Sequence, residues 1–206
     1  MSTMISRILR KEEIGCFAPF TWKFWRALFI MFFITCLLGH WLEIPYVNFM
    51  SQFGIVSDDY AALIDPWYVP YWVYGIGAVV MTWIIEPIKE SVIEHRKTPW
   101  GALLETFLIT VVLAAILETG IGLIVNQPDA AGEFPFWDNS QLPLNILGQG
   151  WLVNDLVIGV VAMVYVWILY PVVYRWLEAR KPWMANLILA VCAIGLIACC
   201  IVSYAI

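Results

Sequence analysis

Charge is what this chain has least of. Of its 206 residues, 13% are charged and 62% are hydrophobic. A soluble domain of that length carries about twice that share of charge, so water is not the solvent around most of this surface. Two whole stretches, 45–67 and 126–150, contain neither Lys nor Arg, which leaves no basic outward face for a nucleic-acid partner. The chain also lacks a GxxxxGK[ST] phosphate loop, an HExxH zinc pair and a GxSxG nucleophile elbow, so no ATPase, protease or hydrolase chemistry is expected of it. No cofactor motif is present. The five cysteines (Cys16, Cys36, Cys192, Cys199 and Cys200) show no CxxC or Cys/His metal spacing. Four lie inside apolar runs, where cysteine acts as a small hydrophobe, and an odd number cannot form a complete disulfide framework. The first twenty residues are basic and have no apolar h-region, so no cleavable signal peptide is expected.

What the chain does have is five apolar runs, each near the ~20 residues that a bilayer core requires. They cover 21–44, 68–88, 101–125, 151–177 and 183–204, and the fourth is long enough to tilt or to extend past the membrane. Trp22, Trp25, Trp83, Trp100, Trp176 and Trp183 fall toward one interface, and Trp41, Trp67, Trp72 and Trp151 toward the other, as aromatic belts do. The expected fold class is all-α, a polytopic transmembrane helical bundle of about five spans in a multi-pass cell-membrane protein. Its first partner is the lipid bilayer. Residues 1–20 form a basic N-terminal segment in which Ile5, Ile8 and Leu9 fall apart from Arg7, Arg10 and Lys11. That pattern suits either a short interfacial helix or a frayed terminus. Residues 21–206 form a single transmembrane domain. All 11 basic residues lie before or at the opening of span one, between spans two and three, or between spans four and five. The positive-inside rule then puts the N-terminus in the cytoplasm, and the C-terminus and both long loops outside.

The outward loops carry the acids Asp58, Asp59, Asp65, Asp129, Glu133 and Asp138. The second loop leads into FWDNSQLPLNILGQGWLVND, residues 136–155. Asp138, Asn139 and Ser140 are turn formers, Pro143 stops a helix, and Gly148 and Gly150 loosen the backbone. Side chains of Asp138, Ser140 and Asn145 can bond free backbone groups, so an ordered segment is expected, bracketed by Trp137 and Trp151 as interfacial aromatics. Both loops enter the next span through P-x4-G-x-G, at 70–77 and 143–150. Each is preceded by a glutamate near the outer end of the previous span, Glu43 and Glu118. Spans one and two therefore read as a parallel repeat of spans three and four, a plan that transporters use to place a site at the repeat interface. A Pro/Gly pattern this short also recurs by chance.

Ionisable groups within spans cost roughly 2.5–3.5 kcal/mol each near the centre on insertion scales. Glu118, in ILETGIGLIV, is the clearest case. It is either a carboxyl hydrogen-bonded to a neighbouring helix or part of a substrate, ion or proton site. His40 and Glu43 are three residues apart on one face. They form an interfacial pair at a helix end, or take a proton or a metal. Asp155, after Asn154, opens span four, where an acid favours the helix dipole. Glu86 and Glu105 lie by the cytoplasmic edge and can snorkel toward Lys89, Arg96 or Lys97. His40, Glu43, Glu118, Asn154 and Asp155 all fall at one depth in the outer leaflet. That common depth points to a substrate or ion site open to the outside.

LGHWLEI (38–44), PYWVYGIG (70–77), LETG (117–120) and above all FWDNSQLPLNILGQGWL (136–152) resemble the ABC-transporter permease family called type IV, small polytopic bacterial membrane proteins. The resemblance covers residues 38–175. Gly39 and Glu43 match a Gly-x-x-x-Glu of an early helix, and Glu118 matches a second intramembrane Glu. Trp137, Asp138, Ser140, Pro143, Asn145 and Gly148 match the family's W-D-Y-S-x-x-P-x-N-x-x-G-R string. Asn139 stands where an aromatic is usual, and Gln149 where Arg is usual. The resemblance implies a permease-like transport subunit that works with a separate nucleotide-binding subunit or as a homo-oligomer. The reading from another class is a membrane sensor, assembly or interaction protein whose outer 136–150 segment binds a partner or a lipid headgroup.

Overall fold

The computed structural model describes residues 15–55, 60–130, 132, 134–135 and 137–204. Residues 1–14 of the basic N-terminal segment lie outside them, as do Asp58, Asp59 and Glu133. Helix α1 (Trp22–Ser51) opens on Thr21, whose hydroxyl accepts the Phe24 N–H. The short α2 (Ala61–Ile64) follows. Helix α3 runs without a break as Trp72–Val80, a π turn Met81–Ile85 and Glu86–His95. Helix α4 (Pro99–Val125) is capped by Thr98, whose hydroxyl accepts the Gly101 N–H, with Pro99 in the first turn, where a missing N–H costs nothing. A small antiparallel hairpin, β1 (Asn145–Ile146) with β2 (Gly150–Trp151), sets Asn145 opposite Trp151. It leads into α5 (Leu152–Glu178), which contains a second π turn at Tyr165–Leu169. Helix α6 is Pro182–Tyr204.

Helices α1, α4, α5 and α6 are long and apolar enough to cross a membrane. The protein is a multi-pass membrane protein of all-α class. Helix α3 overlaps the remaining expected span, 68–88, but carries Glu86 and Lys89 in its second half. Helix α1 continues past the expected end at 44, through Pro45, to Ser51, and α3 starts at Trp72 and continues past 88 to His95.

Prolines account for both π turns. Pro87 stands two residues after Met81–Ile85, and Pro171 two residues after Tyr165–Leu169. A proline inside a helix has no N–H for the carbonyl four residues back and clashes with it. Those carbonyls belong to Trp83 and Trp167, both inside the π turns. A wider turn moves them out of the clash. The two stretches are also alike in sequence: WIIEP…IEHRKTPW (83–100) and WILYP…LEARKPW (167–183).

The described residues form two compact units, 15–86 with 170–206, and 87–169. The core of the first unit comprises Phe24, Ala27, Leu28, Met31, Tyr170, Leu177 and Ala185, all buried. Phe17, Phe24, Trp25 and Trp83 pack there as a ring cluster with centroids 5.5–5.8 Å apart. Each unit contains a helix pair built on the same contact. In the first, Gly75 of α3 lies so close to α1 that a Cβ would stand 2.5 Å from Cys36 Sγ and 2.7 Å from the Phe32 ring. In the second, a Cβ on Gly159 of α5 would stand 2.6 Å from Val111 and 3.0 Å from the Phe107 ring of α4. The α1 and α4 sequences repeat in step, as W-x-A-L-x3-F at Trp25–Phe32 and Trp100–Phe107. The register differs from that of the P-x4-G-x-G strings. Gly75 and Gly77 lie inside α3, whereas Gly148 and Gly150 lie in the hairpin before α5, so the counterpart of Gly75 is Gly159. The hairpin is extra chain in the second pair, and it displaces the apparent match.

Candidate functional site

In the second unit the site forms where the hairpin hands the chain to α5. Glu118, Gly122 and Asn126 recur every four residues and so make one stripe along α4. The hairpin covers that stripe. Gln149, 2% exposed, fills the dent at Gly122, where a Cβ would lie 2.5 Å from its Oε1. Asn126 Nδ2 donates to Gln149 Oε1 at 2.9 Å and to the Trp137 carbonyl at 2.7 Å, and Gln149 Nε2 donates back to the Asn126 carbonyl at 3.3 Å. At the foot of the stripe, Glu118 Oε1 accepts from Asn154 Nδ2 at 2.8 Å and Oε2 from the Trp151 backbone N–H at 3.4 Å. Asp155 faces the same carboxylate. It is 0% exposed, and neither of its oxygens accepts a hydrogen bond from any described residue. The Thr119 hydroxyl is likewise buried without a partner. From 98 to 174 the sequence contains no Lys, Arg or His, so no basic side chain of that stretch offsets the two carboxyls.

The outer segment is tied down by its own side chains. Asn145 Nδ2 donates to the Ser140 and Leu142 carbonyls at 3.2 and 2.9 Å, and Asn145 Oδ1 accepts the Gly148 N–H at 3.0 Å. Asn139 Nδ2 and Trp137 Nε1 both donate to the Gln149 carbonyl, at 2.6 and 2.9 Å. Asp138 Oδ1 accepts the Ser140 N–H at 2.8 Å. The Ser140 hydroxyl and then this N–H hold the exposed Asp138 carboxyl below the usual carboxylate range. Pro143 ends any helix, and its carbonyl accepts Trp151 Nε1 at 2.9 Å. Trp151 is 7% exposed. With their indole N–H groups bonded inside the segment, Trp137 and Trp151 act as its pegs. Leu144 and Leu147 take left-handed φ angles of 64° and 54° and are exposed.

In the first unit His40 and Glu43 are linked through tyrosines and not to each other. His40 is fully buried, its Nδ1 bonds the Val69 carbonyl at 2.9 Å, and its ring stacks on Tyr71 at 4.2 Å. Tyr71 lies parallel to Tyr74 at 6.5 Å. The two tyrosine hydroxyls donate to carboxylates, Tyr71 to Asp65 at 2.8 Å and Tyr74 to Glu43 at 2.7 Å. Gly39 makes room for this, since a Cβ there would lie 2.0 Å from the Tyr74 ring. Tyr60 joins the same group: partial desolvation of this otherwise exposed side chain, and after it the Glu43 carboxylate, push its hydroxyl up to about 12.

Of the five polar candidates, Glu118, Asn154 and Asp155 therefore meet directly in the second unit, while His40 and Glu43 belong to a separate cluster in the first. Asn126, Gln149 and the Trp151 N–H complete the second-unit site. At the other end of α4, Glu105 pairs with Arg96 and lies 3.7 Å from His95. Glu86 and Lys89 reach no aqueous edge, since both are buried. Lys89 Nζ donates at 2.9 Å to the carbonyl of Val166, within the π turn of α5, and lies over the Trp167 ring. Among the described residues no group of three or more His, Cys, Asp or Glu side chains could hold a metal ion, and all five cysteines are free.

The family described as "Putative ABC-transporter type IV" has a model that matches residues 30–204. No curated protein and no solved structure matches the chain.

Proposed function

The chain belongs to this ABC-transporter type IV family, and from that premise we propose that it is a permease-like membrane subunit with an outward-facing polar site. The observation that carries this reading is the Glu118–Asn154–Asp155 cluster, which brings a half-buried and a fully buried carboxyl together between α4 and the start of α5. Intramembrane acids are costly, and they mark substrate or ion paths. The His40–Tyr71–Tyr74–Glu43 cluster offers a second set of polar and aromatic contacts for cargo. The subunit itself is not an enzyme in this reading, and ATP is hydrolysed by a separate nucleotide-binding partner. The cytoplasm holds the N-terminus and the basic loops, and the outer segment faces the opposite side. The alternative, a sensor or assembly protein, is favoured by the rigid 137–151 segment, whose exposed Leu144 and Leu147 would meet a partner.

Affinity purification of the full chain in mild detergent separates the two readings. Co-purification of a nucleotide-binding protein, lost on disrupting the cytoplasmic loops 96–98 or 179–181, is the expected result. Recovery of only outer-face proteins would replace transport with the second reading.

A further inference from the structure

The pattern of donors around the second-unit cluster is lopsided. Glu118 receives two hydrogen bonds, from Asn154 Nδ2 and the Trp151 N–H. Among the described residues Asp155 receives none, although it is fully buried. A buried acceptor without a donor, and a buried charge without a counter-charge, are both expensive. Protein donors therefore favour the ionised form of Glu118 and do nothing for an ionised Asp155. We propose that Asp155 is a proton-binding residue: it is held as a carboxylic acid that donates its O–H to the Glu118 carboxylate, so that the pair binds one proton.

Among the described residues the elements around the pair, α4, the hairpin and the start of α5, supply no cation to balance the charge. On α4 the titratable groups are Glu118 itself and, at the far end, Glu105, which pairs with Arg96 and His95. The hairpin residues 145–151 contain no titratable side chain, and Asp138 ahead of them is engaged with Ser140. Along α5, Asp155 is the sole charged residue from 152 to 164. Two close carboxyls cannot both ionise without help, and they titrate as one unit. A hard metal cation is the less favoured occupant. It wants six or more oxygens, or a strict octahedron, whereas here Asn154 presents its N–H2 side to Glu118 and two carboxyls are all the anionic ligands present. The inference stands whether or not the chain transports anything.

Carbon-13 labelling of the aspartate carboxyls, read by infrared spectroscopy on the purified full chain, tests it. At neutral pH a carboxylic-acid C=O stretch that shifts with the aspartate label, and that Asp155→Asn removes, is the expected result. A carboxylic-acid band that ignores the label would put the proton on Glu118 and overturn the assignment, as would the absence of any such band. Melting in detergent gives a second readout. The folded wild type holds a proton that the unfolded chain releases, so by linkage its melting temperature should fall as pH rises through the neutral range. Asp155→Asn keeps a donor toward Glu118, so it should fold and lose that slope. If it does not fold, the labelled wild-type spectrum decides alone. Stabilisation of the wild type by sodium or calcium chloride at constant ionic strength, absent in Asp155→Asn, would show a metal cation in the proton's place and refute the proposal.

Discussion

Asn145 does the work of a backbone segment with one side chain. Its three bonds, to Ser140, Leu142 and Gly148, close the turn that positions Gln149 and the Trp151 N–H. Asn145→Ala should lower stability by about 1–3 kcal/mol, since partly exposed bonds contribute about 1 kcal/mol each; chemical denaturation in detergent measures it. Gly39→Ala should cost about 1–3 kcal/mol by overpacking, because the Tyr74 ring has to leave its place and with it the bond to Glu43. Tyr74→Phe removes only that bond and should cost less, which separates crowding from hydrogen bonding. Asp138 sets a pH dependence of its own. Its carboxyl is held below the ordinary carboxylate value, so its contribution to the turn is present at neutral pH and disappears as pH falls through that lowered value. Asp138→Asn should flatten the acid limb of the melting curve. Glu118, Asn154 and Asp155 were legible from sequence because a polar residue inside an apolar run stands out. Gln149, Asn126 and the Trp151 N–H were not, because amides near a loop and backbone donors leave no mark in composition or periodicity.

Among the elements, the long helices were legible, since length and hydropathy mark a span, whereas the short α2 and the hairpin left no such signal. The interruptions inside α3 and α5 were not. A proline in a long apolar run is compatible with a kink, a π turn or a helix end, and only packing selects among them. The same limit hid the role of Lys89. Near a helix end it reads as a partner toward which Glu86 or Glu105 can snorkel, yet its ammonium meets the Val166 carbonyl within the π turn of α5. Lys89→Met keeps the length of the side chain and strands that carbonyl. A loss of about 1–3 kcal/mol is expected, with faster hydrogen exchange of the amides around 165–171 as the local signature. Unchanged exchange there would mean that the π turn holds itself together.

At the scale of the whole molecule, the charge pattern makes the strongest demand. Every Lys and Arg falls on segments assigned to one side. In a background without the native cysteines, a cysteine at Asn139 should label with an impermeant reagent added to intact cells, and one at Arg96 should not. The reverse pattern would invert the assignment. The repeated helix pair was legible as a repeat but in the wrong register, because identical short strings can sit in different structural places. The repeated contact of Gly75 and Gly159, each against a phenylalanine ring, is visible only once the helices are packed.

The division of the chain has a consequence for how it is made. Residues 87–169 are continuous, whereas the other unit joins 15–86 to 170–206. Its last helix supplies Asn186, which accepts from Trp22 and Arg26 near the start, and Tyr204, whose hydroxyl reaches the Pro70 carbonyl. Synthesis runs from the N-terminus, and units fold as they become complete. The middle unit can therefore mature on the ribosome while the flanking one waits, with Arg26 short of its amide partner, until the final span is released. A chain stopped before 182 would keep the 87–169 unit whole and leave the other unit without its last helix, and would be a natural target for membrane quality control.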